Sequence, residues 1–230
     1  MTDPDQHASS SSASSAPSDD VPLGFGGVSA SVGDHIAHFY RGASQRFSVL
    51  GPYIETGLRH GDRCVFISSP DVADSLREWL TAHDIDVEHT EDAGLLILDP
   101  GRATKEDMID LVAQVDRDAR ADDRSFVRWS GDASWALEGD ISVHSMLHWE
   151  ALYDRLSSDL RMLALCQFDQ SHFSGNVLMD ALRSHPYCVM GQVVVPNPFH
   201  ESPETLIDDL SDPTASDASA SSQSCPSPSS

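Results

Sequence analysis

His35-Ile-Ala-His-Phe39, followed by the polar loop Tyr40-Arg-Gly-Ala-Ser44, leads into a stretch in which Phe47, Leu50, Tyr53, Ile54 and Leu58 recur at intervals of three and four. That recurrence predicts an amphipathic helix whose apolar face packs on a sheet. Gly61 and Asp62 stop the helix, and Arg63-Cys-Val-Phe-Ile-Ser68 reads as a second strand. A strand-loop-helix-strand unit of this length is a crossover between parallel strands, with its loop at the carboxyl edge of the sheet. Ligands of such sheets are usually held there.

In a nucleotide-hydrolysing protein of this architecture the loop carries Gly-x4-Gly-Lys-Ser/Thr, whose amides and lysine hold the phosphates. Here the corresponding stretch is Tyr40-Arg-Gly-Ala-Ser-Gln-Arg-Phe47, without lysine. The single lysine of the chain, Lys105, opens a different predicted helix. Arg41 or Arg46 could stand in, but a guanidinium is a planar fork and not a compact point charge. The loop therefore reads as the rim of a pocket and not as a hydrolytic centre.

Downstream, the same reading predicts a helix over Pro70–Leu80 and a strand over Gly94–Asp99, the latter a continuous apolar run expected to be buried on both faces. A helix capped by Thr104 follows, with Met108, Leu111, Val112 and Val115 inward. Further strands are expected over Ser125–Ser130 and Arg161–Asp169, and further helices over Ser145–Leu160 and Ser174–Arg183. Tyr187–Met190 and Gln192–Val195 form a closing pair turned at Gly191. The fold class is thus α/β, three-layered, a mainly parallel sheet with helices on both faces. Residues 1–30 and 203–230 are rich in Ser, Asp, Ala, Pro and Gly and are expected to be disordered tails around one domain at 31–202.

Thirty-seven acidic residues against fourteen basic ones give a net charge of -23. Such a field disfavours nucleic-acid phosphates and anionic lipid. With one lysine and otherwise arginine, the balance fits a protein kept soluble in a salt-rich, halophilic cytoplasm. No apolar run is long enough for a membrane span, and no secretory signal is read at the amino terminus. Cys64, Cys166 and Cys188 fall in apolar runs and Cys225 in the tail, a pattern of reduced thiols in a cytoplasmic protein.

Seven fragments in order carry a family resemblance: His35-Ile-Ala-His-Phe-Tyr40, Gly57-Leu-Arg-His-Gly-Asp-Arg-Cys64, Trp129-Ser-Gly-Asp-Ala-Ser-Trp135, Trp149-Glu150, Leu165-Cys-Gln-Phe-Asp169, His185-Pro186 and Asn197-Pro-Phe199. Together they resemble the MEDS domain, the sensory domain named for methanogens, methylotrophs and the dichloromethane-responsive regulator. The resemblance implies a degenerate RecA/KaiC-type fold, and a sensor of small molecules often joined to histidine-kinase, PAS or DNA-binding parts. This chain has no room for such an output domain, so the expectation is a stand-alone regulatory module that signals to a partner such as a histidine kinase or transcription regulator, with a homo-oligomer as a further possibility.

The candidate ligand site gathers His38, Tyr40 and Arg41 after the first strand, Asp132 and Trp135 after the fourth, and Gln167 and Asp169 at the end of the fifth. Aromatic walls with a few orienting polar groups suit a small organic ligand. Glu150 would reach the same crevice or pair with an arginine. Each has a plainer role: Trp135 and Tyr40 as caps on the core edge, Asp169 as a helix cap. Asp132 and Asp169 as magnesium ligands would make the chain a divergent ATP-binding protein, the rival reading, and an interaction scaffold is the third. His144 and His148, four apart on a helix, lack a further ligand and read as solvent-facing. Cys166 and His185 are the pair to weigh for thiol chemistry, with packing and a structural or sensing histidine preferred. No catalytic residue, metal or cofactor is expected.

Overall fold

The computed structural model describes residues 20–122, 126–138 and 141–211. The first predicted strand, β3 (His35–Tyr40), is preceded by a short antiparallel pair, β1 (Asp20–Pro22) and β2 (Ser29–Ser31). Helix α1 (Gly42–His60) follows β3 and is ended by Gly61 at φ 78°, a left-handed cap that glycine adopts without a Cβ clash. Next come β4 (Arg63–Ile67), α2 (Pro70–Ala82), α3 (Val87–Asp92), β5 (Leu96–Asp99) and α4 (Lys105–Ala121). Thr104 caps α4 as expected, its hydroxyl accepting from the Asp107 amide. The chain continues through β6 (Val127–Asp132), α5 (Trp135–Glu138), α6 (Val143–Ser157), β7 (Met162–Asp169), α7 (Gly175–Arg183), β8 (Tyr187–Met190), β9 (Val193–Pro196) and α8 (Pro203–Ser211).

Seven strands form one sheet in the order β5-β4-β6-β7-β3-β8-β9. All neighbours are parallel except the closing hairpin β8–β9, turned at Gly191. β3 and β7 lie next to each other although about 120 residues separate them, and α1 carries the chain from β3 to β4, past β7 and β6.

The pleat sorts each strand onto two faces. Ile36, Cys64, Phe66, Leu163 and Leu165 face α1 and α2, against Leu50, Tyr53, Ile54 and Leu76. Ala37, Val65, Ile67, Trp129, Ala164, Cys166 and Phe168 face the opposite layer, against Met108 and Val112 of α4, Trp149 and Tyr153 of α6, and Ala181 of α7. Two close approaches on the first face depend on glycine. A Cβ at Gly51 would lie 2.5 Å from the Trp79 ring, and one at Gly57 would lie 2.4 Å from Cδ of the buried Arg128.

The structure departs from the sequence reading in three places. The Gly94–Asp99 run is an edge strand, with only Leu96 of β5 buried, because β4 covers one side and no strand among the described residues pairs with the other. Residues 20–30, expected in the amino-terminal tail, fold onto the core: Val21, Leu23 and Phe25 are buried against the α1 side. Residues 203–211, expected in the carboxyl-terminal tail, are α8, whose Leu206 and Leu210 are buried against the α6 side. The remaining tail residues, Cys225 among them, lie outside the described residues.

Candidate functional site

At the carboxyl edge, register brings five of the candidate residues into one lattice. Gln167 of β7 stands between Asp132 of β6 and His38 of β3, and Asp169 stands beside Tyr40. All five, by parity, project towards α1. Tyr40 and Asp132 are wholly buried, and the Tyr40 hydroxyl donates to Asp132 Oδ2 at 2.6 Å. Asp132 Oδ1 accepts from the Ser134 amide at 3.0 Å and from the Ser134 hydroxyl, while Arg46 Nε lies 3.3 Å from Oδ2. Arg46 also covers the Tyr40 ring at 5.0 Å. Burial, then the Asp132 carboxylate, pushes the Tyr40 hydroxyl well above its ordinary pKa, so it remains a donor.

Asp169 has a similar local duty. Its Oδ1 accepts from the Ser171 amide and hydroxyl, closing the turn after β7. Burial opposes its charge, but these bonds outweigh it and lower the pKa. The two carboxylates considered as magnesium ligands are therefore engaged by their own chain.

His38 is different. It is 5% exposed and, among the described residues, makes one side-chain hydrogen-bond contact, Nδ1 to Gln167 Nε2 at 3.3 Å. Burial pushes its pKa down to about 4, so the ring is neutral at ordinary pH. Gln167 is fully buried, and its Oε1 has no hydrogen-bond partner among the described residues. Exchanging the amide ends would leave the nitrogen unpartnered instead. His38 lines a cavity of about 450 Å³ roofed by the β8–β9 turn, with Gln45, Ser48, Gln170, Met190 and Gln192 around it. The β1–β2 loop braces that roof, since a Cβ on Gly26 would collide with the Gln192 carbonyl oxygen at 1.7 Å.

The other candidates lie elsewhere. Arg41 is the exposed N-cap of α1, and its backbone amide, not its guanidinium, is bonded, to Gln45 Oε1 at 2.7 Å. Arg46, one turn on, is the arginine that turns inward. Trp135 belongs to the opposite face, packed against Gly101 and Ile67. The shared crevice expected for His38, Trp135 and Asp169 is thus divided by the sheet. Glu150, Cys166 and His185 also sit on the far face, within the layer of α6 and α7.

There they meet a residue that the sequence reading left unassigned, His35. Its Nε2 lies 3.3 Å from Glu150 Oε2 and 3.4 Å from Cys166 Sγ, and its Nδ1 lies 3.4 Å from Asp154 Oδ1. His185 Nε2 is 3.6 Å from Glu150 Oε2, and the two imidazole rings are 3.8 Å apart between centroids. Burial favours a neutral His35, but hydrogen bonds to Asp154 and Glu150 prevail and raise its pKa. Burial, reinforced by His35, pulls His185 far down, and burial followed by Glu150 pushes the Cys166 thiol far up. A sequence signal for His35 existed: it opens an apolar strand on the same face as Ala37 and Phe39, where a polar ring needs partners. His144 is exposed, and His148 Nδ1 approaches Lys105 Nζ at 3.5 Å; neither joins a group of donors among the described residues.

A family model described as "MEDS: MEthanogen/methylotroph, DcmR Sensory domain" matches residues 34–186, from just before β3 to just before β8. The chain belongs to the MEDS family. This MEDS chain is 29% identical over 154 residues to the transcriptional repressor DcmR of Methylorubrum extorquens (strain DSM 6343 / CIP 106787 / DM4), a match spanning 66% of this chain and 58% of the repressor. The chain therefore corresponds to somewhat more than half of that relative's length. Among solved structures it is similar to the KaiC-like protein PH0186 from Pyrococcus horikoshii OT3, with a TM-score of 0.52 and 12% identity, covering 74% of this chain and 78% of the other. The MEDS chain thus has the KaiC-like, RecA-type fold, a mostly parallel seven-stranded sheet between helical layers. No helix among the described residues is long and apolar enough to cross a membrane.

Proposed function

We propose that this MEDS domain is a regulatory sensor that binds a small, polar organic molecule in the cavity beneath the β8–β9 turn and signals to a partner protein. The observation that carries this reading is the pair His38–Gln167. A neutral imidazole lines the cavity, and a buried amide with one end unpartnered stands behind it. His38 is the member of the pair that lines the cavity, and its ring nitrogen offers a ligand hydroxyl or amine a hydrogen bond. The acidic chain and the low charge of the cavity wall favour a neutral or cationic ligand over an anion.

Signalling would run through the hairpin that roofs the cavity. Ligand contacts to Met190 and Gln192 can bias its position only by as much as affinity differs between its two placements. Exposed Met190 and Val193 at this outer edge give a partner protein an apolar surface. That the relative DcmR is a transcriptional repressor supports a regulatory output. Hydrolysis of nucleotide is not part of the reading, because the lysine is missing and both edge carboxylates are occupied by the chain itself.

The test is a thermal-shift panel of small alcohols, amines and halogenated hydrocarbons, with magnesium-ATP as a further arm. A rise in Tm with a panel compound that is lost in His38→Ala and Gln167→Leu supports the proposal. A rise with magnesium-ATP alone, abolished by Arg46→Ala, replaces it with nucleotide binding.

A further inference from the structure

Among the described residues, the buried side-chain atoms without a hydrogen-bond partner fall on both faces of the sheet. Apart from those of Arg46, Arg128 and Gln167 on the α1 side, they are Glu150 Oε2, His185 Nε2 and the Tyr153 hydroxyl, all in the layer of α6 and α7. Four donor atoms from His35, Glu150, Cys166 and His185 lie within 4.8 Å of one another, and all four residues are buried. We propose that these four side chains form a tetrahedral transition-metal site of the zinc class, separate from the cavity on the other face of the sheet.

The geometry is of the right size. Bonds of about 2.0–2.3 Å from one ion to nitrogen, oxygen and sulfur place tetrahedral donors roughly 3.3–3.8 Å apart. Three of the six separations match this, 3.3 Å for His35–Glu150, 3.4 Å for His35–Cys166 and 3.6 Å for His185–Glu150, and the other three do not exceed 4.8 Å, so those donors close in slightly on an ion. Four donors leave no open position, which makes the site structural.

Hydrogen bonding behind the donors orients them. His185 Nδ1 lies 2.6 Å from the Ala181 carbonyl, so Nδ1 carries the proton and Nε2 presents a bare lone pair to the cluster. Asn197 fixes that loop, donating from Nδ2 to the Leu182 and His185 carbonyls at 2.6 and 2.7 Å. Asp154 takes the corresponding place behind His35 Nδ1 and is itself held by His200 Nε2 at 2.8 Å. A carboxylate or carbonyl behind each ligating histidine is the usual outer shell of a metal site.

Without an ion, His185 Nε2 has no hydrogen-bond partner among the described residues; it faces Glu150 Oε2 at 3.6 Å, and that oxygen already lies 3.3 Å from His35 Nε2. A divalent ion gives that nitrogen a partner. On binding, Cys166 gives up its thiol proton and His35 gives up the Nε2 proton it shares with Glu150, both to solvent, and glutamate with thiolate then balances the two positive charges. A buried site with no net charge avoids the desolvation cost of an unpaired ion.

The experiment uses the full chain, stripped with chelator and titrated with Co2+ as a spectroscopic stand-in for Zn2+. We expect one Co2+ per chain, a thiolate-to-cobalt charge-transfer band, visible bands of tetrahedral intensity, displacement by Zn2+, and a rise in Tm with either ion. Cys166→Ser should abolish the charge-transfer band. Because a variant in this cluster can fail to fold, the chain carrying Cys64→Ala, Cys188→Ala and Cys225→Ser, which keeps Cys166 as its only cysteine, provides the complementary measurement and should retain the band. Asp154→Asn should weaken Zn2+ retention by about 10–100-fold while leaving the tetrahedral spectrum intact, as expected of a positioning residue. No stoichiometric Co2+ or Zn2+ uptake by the stripped wild type, or a thiolate band that survives Cys166→Ser, overturns the proposal.

Discussion

The Tyr40 hydroxyl reaches Asp132 across the intervening strand β7, from β3 to β6, and so ties together two strands that do not pair with each other. The bond closes over the carboxyl edge beside Gln167. Asp132 in turn anchors Ser134 and Arg46, which makes it a hub for the loop after β6 and the first turns of α1.

Tyr40→Phe leaves one lone pair of a buried carboxylate facing only Arg46. It should destabilise the protein by about 1–3 kcal/mol, read as a lower midpoint in urea with an unchanged slope. A midpoint equal to wild type would mean that the bond has no net value.

The low pKa of His38 has a sign that can be worked out. In the unfolded chain the ring takes up a proton near pH 6.5, whereas in the folded protein it does so only at about 4. As pH falls through that window the unfolded state binds more protons, so stability drops, by at most about 1.4 kcal/mol per pH unit from this group. His38→Gln should remove that share of the acid sensitivity between pH 6.5 and 4, while carboxylates and other histidines continue to contribute. Parallel stability-pH curves for the two proteins would refute the assignment.

Gly57→Ala should destabilise by roughly 1–3 kcal/mol through overpacking, since the new methyl meets Arg128 Cδ at 2.4 Å and Cys64 Sγ at 2.6 Å. Arg128 cannot move aside freely, because its Nε is bonded to Asp62 Oδ2 at 2.8 Å and its guanidinium lies over the Tyr53 ring. Combining Gly57→Ala with Arg128→Met should cost less than the sum of the two single changes, and strict additivity would exclude this contact as the cause.

A chain trimmed to residues 31–202, the boundaries that composition suggests, should unfold at lower temperature than one covering 20–211. The cut removes Leu23 and Phe25 from one face and Leu206 and Leu210 from the other, all nearly or fully buried. Losing a buried Leu or Phe side chain typically costs about 2–5 kcal/mol. Equal melting temperatures would show that these segments contribute nothing.

How much of this was legible in the sequence follows from the length of each signal. Long periodic stretches such as Phe47 to Leu58 declared a helix and the side it buries, and the apolar strands gave a parallel sheet. Val21, Leu23 and Phe25 went unseen because three apolar residues are submerged in a segment whose average is polar, and Leu206 and Leu210 were lost in the same way. The row Asp132, Gln167 and His38 was accessible, since residues leaving parallel strands at one edge must be neighbours. The division between the two faces was harder. Parity within a strand separates Cys166 from Gln167, but nothing local says to which face Glu150 of α6 or Trp135 belongs, because that depends on which side each helix crosses. His35 and Glu150 are brought together only by the packing of α6 on β3 and β7.

Cys166 and Gln167 are consecutive on β7, yet one opens toward the histidines of the α6 layer and the other toward the cavity wall beside His38. Two chemical environments are thus printed back to back on one ribbon of eight residues. Inserting or deleting one residue early in that ribbon would swap the surfaces, sending an amide among the imidazoles and a thiol behind His38. In this ribbon a change of length therefore disturbs both surfaces at once, whereas a change of one side chain disturbs only one.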